Sequence, residues 1–408
     1  MVQLPAFEVE RWMDTHENTP GVLNIAETCC SSVSINQLVQ FDTSKQQDGR
    51  SVVDPSARLG YGTIRGSEEL RRNLATMYNE DQNATRNNSV PPVTSNDIII
   101  QQGAIAANRD VFYSLVGPGD HVVCVFPTYQ QLYSIPKSLG AEVSLWELKQ
   151  SEGYVPNVGD LEALIKDNTK MVVINNPNNP TGATIPVEVL EKIVSVAKKN
   201  DIILFSDEVY QPLFHGVEQD SIPPSILALN YPKTVVTGSM SKAWALAGLR
   251  LGWAASRDAS IIDAIASARD YTTISVSGLD DQVARYALSA SVRPQLLARN
   301  ISLAKKNLDL LARFVEDHPT VCTWVRPNAG TTAFLGFKDK NGAPVDDEAF
   351  CKDVLSKTKV FFVPGSRCFG NGETSSFNGF VRIGYVCETE VLRQALEELS
   401  GYIADHLV

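Results

Sequence analysis

The stretch MVVINNPNNPTGATIPVEVLEKIVSVAKKNDIILFSDEVY, residues 171–210, contains two apolar runs separated by an amphipathic segment. The two runs, MVVIN and IILF, have the length and the β-branched content of buried strands. Between them, VEVLEKIVSVAKKN repeats apolar residues at the spacing of a helix that packs on a sheet. A strand, a helix and a second strand in this order are typical of a βαβ unit, whose strands are parallel.

The same alternation continues on both sides of this unit. Further buried strands are predicted at DIIIQQG, DHVVCVFPTY, EVSLWEL, TVVTGSMSK and RLGWAAS, which makes seven runs in all. Helical patterns such as AANRDVFYSLV lie between them. The alternation predicts an α/β fold whose large domain, residues 50–288, contains a mostly parallel sheet of the seven-stranded type flanked by helices.

The pattern changes after residue 288. A long helical segment, RPQLLARNISLAKKNLDLLARFVEDH, precedes the short apolar runs TTAFLGF, VFFVPG and GFVRIGYV and a last helical segment. Helices and strands grouped in this way predict a smaller α+β domain. We expect it to form from the two chain ends, residues 1–49 and 289–408.

Composition excludes several classes of function. The 408 residues carry a formal net charge of −11, whereas nucleic-acid binding requires basic patches. The same charge argues against a role on anionic membranes, and no run reaches the ~18 apolar residues that span a bilayer. The N-terminus lacks the basic and apolar segments of a secretory signal. The seven scattered cysteines show no metal-ligand spacing and predict reduced thiols in a cytoplasmic protein without a metal site.

Polar residues follow three of the predicted strands. In an open α/β sheet, ligands bind beyond the carboxyl ends of the strands, so we expect these side chains to converge. They are Asn179 after MVVIN, Asp207 and Tyr210 after IILF, Ser239, Ser241 and Lys242 after TVVTG, and Arg250 eight residues further on.

This order and spacing resemble the class I/II aminotransferases, which are fold type I enzymes that depend on pyridoxal 5′-phosphate. The resemblance extends from about Tyr61 to Arg382 and rests on several separate motifs. It implies that Lys242 holds the cofactor as a Schiff base and serves as leaving group and general base. It also implies that Asp207 keeps the pyridine nitrogen protonated, as an electron sink requires. Tyr210 is the third catalytic candidate; with Asn179 it would hydrogen-bond the ring oxygen.

The resemblance assigns further contacts with the cofactor. Arg250, Ser239 and Ser241 would bind its phosphate through charge-assisted bonds. Backbone N–H groups of Gly103, Ala104 and Ile105, at the start of a helix, would add to that site. The remaining implied contacts are Tyr129, which stacks on the ring, and Tyr61, which reaches the phosphate of the neighbouring subunit and so implies a homodimer.

The implied substrate is a small molecule, an α-amino acid. Arg382, in FVRIGYV, would hold its α-carboxylate through a paired guanidinium contact. Many aminotransferases carry a Gly-x-Pro-like element in an N-terminal substrate loop, but here the segment LNIAETCCSSVSINQL places Ala26 and Glu27 there. Glu27, with Asn179 and Arg382, is a candidate substrate contact, and a basic group on the substrate would suit it. A helix-capping or surface role for Glu27 fits the sequence equally well.

Two reactions fit these residues. The first is transamination between an α-amino acid and a 2-oxo acid. The second is elimination, replacement or cyclisation, as in capreomycidine synthase-like and aminocyclopropane-carboxylate synthase-like enzymes, which share the cofactor residues. A regulatory protein that joins this fold to a DNA-binding module is disfavoured, because such a module needs an additional segment and basic charge.

Overall fold

The computed structural model describes residues 4–44, 51–80, 90–370 and 377–408. The helices are α1 (Glu8–His16), α2 (Ile35–Gln40), α3 (Glu68–Glu80), α4 (Gly103–Leu115), α5 (Gln131–Ser138), α6 (Val158–Leu164), α7 (Val187–Lys199), α8 (Ala259–Asp270), α9 (Gly278–Ala287), α10 (Arg293–Asp317), α11 (Asp347–Thr358), α12 (Gly365–Phe369) and α13 (Thr389–His406). The strands are β1 (Leu23–Asn24), β2 (Ile98–Gln101), β3 (His121–Phe126), β4 (Glu142–Glu147), β5 (Thr169–Asn175), β6 (Ile203–Asp207), β7 (Thr234–Ser239), β8 (Gly252–Ala255), β9 (Cys322–Trp324), β10 (Thr332–Phe337), β11 (Val360–Phe361), β12 (Val363–Pro364) and β13 (Phe380–Gly384).

A seven-stranded sheet forms the centre of the described structure, in the order β2-β8-β7-β6-β5-β3-β4. Strand β8 runs antiparallel to both of its neighbours, and the other strand pairs are parallel. Each of the seven predicted runs forms one of these strands. The predicted α/β fold with a mostly parallel sheet is therefore confirmed.

The unit β5–α7–β6 shows how the sequence produces this arrangement. Along β5, Met171 and Val173 point to one face of the sheet and Val172 and Ile174 to the other, so the strand is buried on both sides. Helix α7 covers one face with the apolar stripe that includes Ile193. Burial of each such side chain contributes about 1.5–3 kcal/mol, which holds the helix on the sheet and the strand ends in register.

A second, smaller region combines both ends of the chain. Strands β12, β13, β10 and β9 form a four-stranded sheet, and β1 pairs in parallel with β11, with Leu23 opposite Val360. This agrees with the predicted smaller α+β part. The predicted boundary at residues 49–50 lies outside the described residues, and the boundary at 288 stays a prediction. Within the described ranges, none of the helices is both long and apolar enough to cross a membrane.

Candidate active site

A cavity of about 560 Å³ opens beyond the carboxyl ends of β5, β6 and β7. The N-terminal segment, the start of α4 and strand β13 complete its wall. The predicted site residues that line it are Glu27, Ala104, Ile105, Tyr129, Asn179, Asp207, Tyr210, Ser239, Ser241, Lys242, Arg250 and Arg382. Gly103 lies immediately behind, next to Arg250, whereas Tyr61 lies on the surface and outside the cavity in this single chain.

Lys242 follows β7 and points toward the N-terminal segment. Its Nζ atom lies 2.6 Å from Thr28 Oγ1, 3.4 Å from Cys29 Sγ and 3.6 Å from Glu27 Oε1. Burial lowers the pKa of this amine, but Cys29 and the Glu27 carboxylate raise it, and the balance lies above the ordinary value. The free amine is therefore a cation, and the N-terminal segment supplies its counter-charge.

Glu27 is fixed by the backbone as well as by charge. Its Oε1 atom accepts hydrogen bonds from the amides of Thr28, at 2.6 Å, and Cys29, at 3.1 Å. Burial raises the pKa of this carboxyl, but the Lys242 cation, the Cys29 side chain and the Thr28 amide outweigh burial and lower the pKa to about 2. Its side chain is 49% exposed, so the carboxylate both contacts Lys242 and faces the opening of the cavity.

Asp207 ends β6 at the base of the cavity and is fully enclosed. Burial raises the pKa of its carboxyl to about 6, although hydrogen bonds from Asn108 Nδ2, at 3.0 Å, and Val209 N, at 3.1 Å, counteract the rise. A carboxylate in such a place is stable when a cation lies beside it. This is the environment that a protonated ring nitrogen would complete.

Asn108 is a site residue that the sequence interpretation missed. It lies in α4, is buried, and lines the cavity. Its Oδ1 atom accepts a hydrogen bond of 2.6 Å from Thr237 Oγ1, and this fixes the amide so that Nδ2 faces Asp207. Its position in the sequence could have predicted it. Asn108 lies one helical turn after Ala104, so both residues lie on the same face of α4, and Ala104 is a cofactor contact that the resemblance implies. Asn175, Thr28 and Cys29 also line the cavity and were missed.

An anion-binding corner lies at the start of α4. Ser239 Oγ donates to Ser241 Oγ at 2.8 Å, and Arg250 Nη1 lies 3.5 Å from the same Ser241 atom. Gly103 has a positive φ of 77°, and a Cβ atom there would lie 3.1 Å from Arg250 Nη2. Two hydroxyls, a guanidinium and the N-terminus of a thirteen-residue helix form a suitable site for a phosphate group.

Arg382, in β13, is a buried cation. Its Nη2 atom donates to the Ala26 carbonyl at 2.9 Å and its Nη1 to Asn179 Oδ1 at 3.4 Å. Its Nε atom has no hydrogen-bond partner, and Arg382 forms no salt bridge, within the residues that the structure describes. A buried guanidinium that lines a cavity and has no carboxylate partner is a suitable site for the carboxylate of a ligand.

The remaining predicted contacts surround these groups. The Tyr129 hydroxyl donates to Glu10 Oε1 at 2.9 Å, and the backbone N–H of Asn179 donates to Asn175 Oδ1 at 2.8 Å. Tyr210 is buried beside Lys242; burial raises the pKa of its phenol, and the Lys242 and Arg382 cations lower it only in part. The cavity therefore combines an amine, a buried carboxylate, an anion-binding corner and a free guanidinium.

These groups fit pyridoxal 5′-phosphate: the amine suits its aldehyde, Asp207 its ring nitrogen, and the corner at α4 its phosphate. Fold and site together define a pyridoxal-phosphate-dependent transferase. Residues 34–399 match the family described as Aminotransferase class I and II, and the chain belongs to this family.

Named relatives agree with this assignment. The chain is 27% identical over 345 residues to capreomycidine synthase of Streptomyces vinaceus, covering 85% of this chain and 81% of that protein. It is 30% identical over 346 residues to aspartate/prephenate aminotransferase of Thermus thermophilus, covering 83% and 82%. The crystal structure of a PLP-dependent aminotransferase from Streptococcus suis 89-1591 has a TM-score of 0.86 and 35% identity, covering 99% and 98%. The predicted family, enzyme class and cofactor are confirmed.

Proposed function

We propose that this enzyme is an aminotransferase that moves an amino group from an α-amino acid to a 2-oxo acid, with Lys242 as the cofactor-bearing residue. The observation that carries the proposal is the convergence of Lys242, Asp207 and the Arg382 guanidinium, which has no carboxylate partner among the described residues, on one cavity. When bound, pyridoxal 5′-phosphate supplies an electron sink for the negative charge that develops at the substrate Cα.

Different groups of residues at the cavity would bind different parts of the cofactor. Asp207 would hold the proton of the ring nitrogen, and Asn179 and Tyr210 would hydrogen-bond the ring oxygen. Tyr129 would pack on the ring. The hydroxyls of Ser239 and Ser241, the guanidinium of Arg250 and the first amides of α4, at Gly103, Ala104 and Ile105, would hold the phosphate.

Lys242 and Arg382 would act on the substrate. Arg382 would bind the α-carboxylate and so fix the direction of the Cα–H bond. The Nζ atom of Lys242 would then take the proton from Cα as a general base and deliver it as a general acid to the C4′ carbon of the cofactor. Thr28 Oγ1, at 2.6 Å from Nζ, would keep the amine oriented between the two transfers.

One experiment separates transamination from the alternative. The holoenzyme is mixed with candidate amino acids, first without and then with a 2-oxo acid, and the products and cofactor spectrum are followed. An aminotransferase forms one equivalent of keto acid per site without an acceptor and turns over repeatedly with one. Repeated turnover without an acceptor, with release of ammonia or a cyclic product, overturns transamination.

Elimination, replacement or cyclisation stays the second candidate because of Glu27. Its ionised carboxylate lies 3.6 Å from Lys242 Nζ and would serve as a second base next to the proton-moving amine. Capreomycidine synthase, the relative that is 27% identical, carries the name of such an enzyme.

We also propose a homodimer in the cytoplasm. In the single chain, Tyr61 is 92% and Tyr271 is 91% exposed, and Leu59, Ile64 and Ile274 are exposed as well. The segment of Tyr61 packs against that of Ile274, since a Cβ on Gly62 would lie 2.8 Å from the Val276 carbonyl. An apolar patch of this kind is typical of an interface, through which Tyr61 of the partner subunit would reach the phosphate corner. The seven cysteines are free thiols, as in a reducing compartment.

A further inference from the structure

We infer that the substrate carries a positively charged side chain, an ammonium or a guanidinium, that is recognised by Glu27, by Glu10 and Asp14 of helix α1, and by Glu17 at the C-cap of this helix. The inference rests on the proposed function of the cavity and names its substrate class. Glu10, Asp14, Glu17 and Glu27 line the cavity, and we call these four residues the acidic rim.

The charges along the cavity wall are unevenly distributed. Its cations are Lys242, Arg250 and Arg382, and the proposed function uses each of them, for the cofactor, its phosphate and the α-carboxylate. Asp207 is used by the ring nitrogen. The acidic rim is then left with four negative charges and no cation of the wall to balance them, so the field at the opening attracts cations.

Helix α1 is held so that its acidic face meets the cavity. Trp12, on the opposite side, is buried and donates its Nε1–H to the Phe362 carbonyl at 3.0 Å. Glu8 is anchored to Arg367 Nε at 2.8 Å. Glu10, Asp14 and Glu17 follow at intervals of four and three residues, which places them on one helical face. Within the described part of the chain these three form no salt bridge, and Glu10 is fixed by the Tyr129 hydroxyl.

Glu27 is the member of the acidic rim that lies deepest. The amides of Thr28 and Cys29 fix the position of its side chain, and the neighbouring Lys242 cation is the main cause that keeps it ionised. Its cationic partner is the free amine of Lys242, and that amine is occupied when it holds the cofactor. Glu27 is then a half-exposed carboxylate next to the place where the substrate Cα would lie.

A second observation indicates which group of the protein would bind the α-carboxylate of the same substrate. The buried Nε atom of Arg382 lacks a partner, and its Nη2 atom contacts Ala26, the residue directly before Glu27. One short segment thus connects the group that would hold the α-carboxylate with the group that would meet the side chain. An amino acid with a carboxylate at one end and a cation at the other complements both.

The test compares amino acids that differ in side-chain charge but hardly in shape. Arginine is compared with citrulline and lysine with norleucine, and glutamate represents the opposite charge. Binding to the holoenzyme is measured by the change in cofactor absorbance, and kcat/KM is measured separately. We expect each cationic compound to bind about tenfold more tightly than its neutral counterpart, with a preference that falls as salt increases. Equal binding of the neutral counterpart, or preference for glutamate, overturns the inference.

Matched variants locate the effect. Glu27→Gln retains the oxygen that accepts from Thr28 and Cys29 but loses the charge, and we expect it to reduce the cationic preference about fivefold. Asp14→Asn tests α1 independently. Glu316→Gln, at an exposed position of α10 away from the cavity, removes the same charge and should leave the preference unchanged. An equal effect of Glu27→Gln and Glu316→Gln contradicts the inference.

The product analysis keeps this inference apart from the proposed function. Tight binding of cationic amino acids with repeated turnover in the absence of a 2-oxo acid supports the substrate class and overturns transamination. Transamination of charged and neutral amino acids with equal kcat/KM supports the reaction and overturns the substrate class.

Discussion

The base and the rim of the cavity come from different parts of the chain and are held in different ways. At the base, Asp207 and Ser239 end two strands of the central sheet, Ser241 and Lys242 follow directly after, and both faces of that sheet are buried. The acidic rim stands on α1 and on the loop after β1, with exposed or half-exposed side chains. Rigid strand ends suit chemistry that is common to a family, whereas a peripheral segment can change without disturbing it.

The largest effect is expected from a substitution at the base of the cavity. Lys242→Ala should prevent fixation of the cofactor to the chain by borohydride and lower kcat at least about 1000-fold, because the proton-moving amine is removed. Mass spectrometry after reduction measures the fixation. Lys198→Ala, at an exposed lysine of α7, is the control and should behave as the wild type. Cofactor that is still fixed to Lys242→Ala would disprove the assignment.

The second-largest effect is expected from Asp207→Asn. The amide cannot balance a protonated ring nitrogen, so we expect kcat to fall roughly 100-fold while the cofactor still binds through the phosphate corner. Steady-state kinetics and the cofactor dissociation constant measure the two effects. A variant that keeps wild-type kcat would show that this carboxylate has no electronic role.

The same residue predicts a pH dependence of stability without cofactor. The carboxyl pKa rises from 3.8 to about 6 on folding, because burial disfavours the charged form. Between about pH 4 and pH 6 the unfolded state therefore loses its proton first, and the native state should lose about 3 kcal/mol of stability as the pH rises. Urea unfolding of the apoenzyme measures this loss, which should be absent in Asp207→Asn.

A smaller effect is expected from a substitution of Asn108, which donates a hydrogen bond to Asp207 at the base of the cavity. Asn108→Leu removes the donor to Asp207 without a large change of volume, so the carboxyl pKa should rise further and kcat fall about tenfold. The pH at which the spectrum of the bound cofactor changes should move with it. Thr237→Val, which removes only the hydroxyl that orients Asn108, should shift this pH in the same direction by less. An unchanged pH midpoint in both variants would mean that Asn108 only fills space.

The smallest effect concerns the proposed dimer. Tyr61→Phe removes one phosphate contact from the neighbouring site, and cofactor affinity should fall about fivefold with little change of kcat. Tyr113→Phe, at another exposed tyrosine, is the control. Light scattering that gives a monomer at working concentration would contradict the dimer, and unchanged affinity would contradict the role of Tyr61.

The sequence predicted the residues at the base of the cavity better than those at its rim. The reason is the separation along the chain between the residues that contact each other. Each predicted strand directly precedes its polar residues, as in IILFSDEVY, so local pattern alone placed Asp207 at a strand end. Asn108 meets Asp207 across 99 positions, and Thr28 meets Lys242 across 214. Contacts of that separation leave no periodic signal in the sequence. The role of helix α1 in the cavity wall was missed for the same reason.

The pairing of β1 with β11 sets an order on assembly during synthesis. Leu23 and Asn24 leave the ribosome early, but the strand that fixes them, Val360–Phe361, and Arg382, which binds the carbonyl of Ala26, are made near the end. The first-made segment therefore lacks these partners until nearly the whole chain has been synthesised, and loss of the C-terminal strands would remove the contacts that hold Ala26 in place.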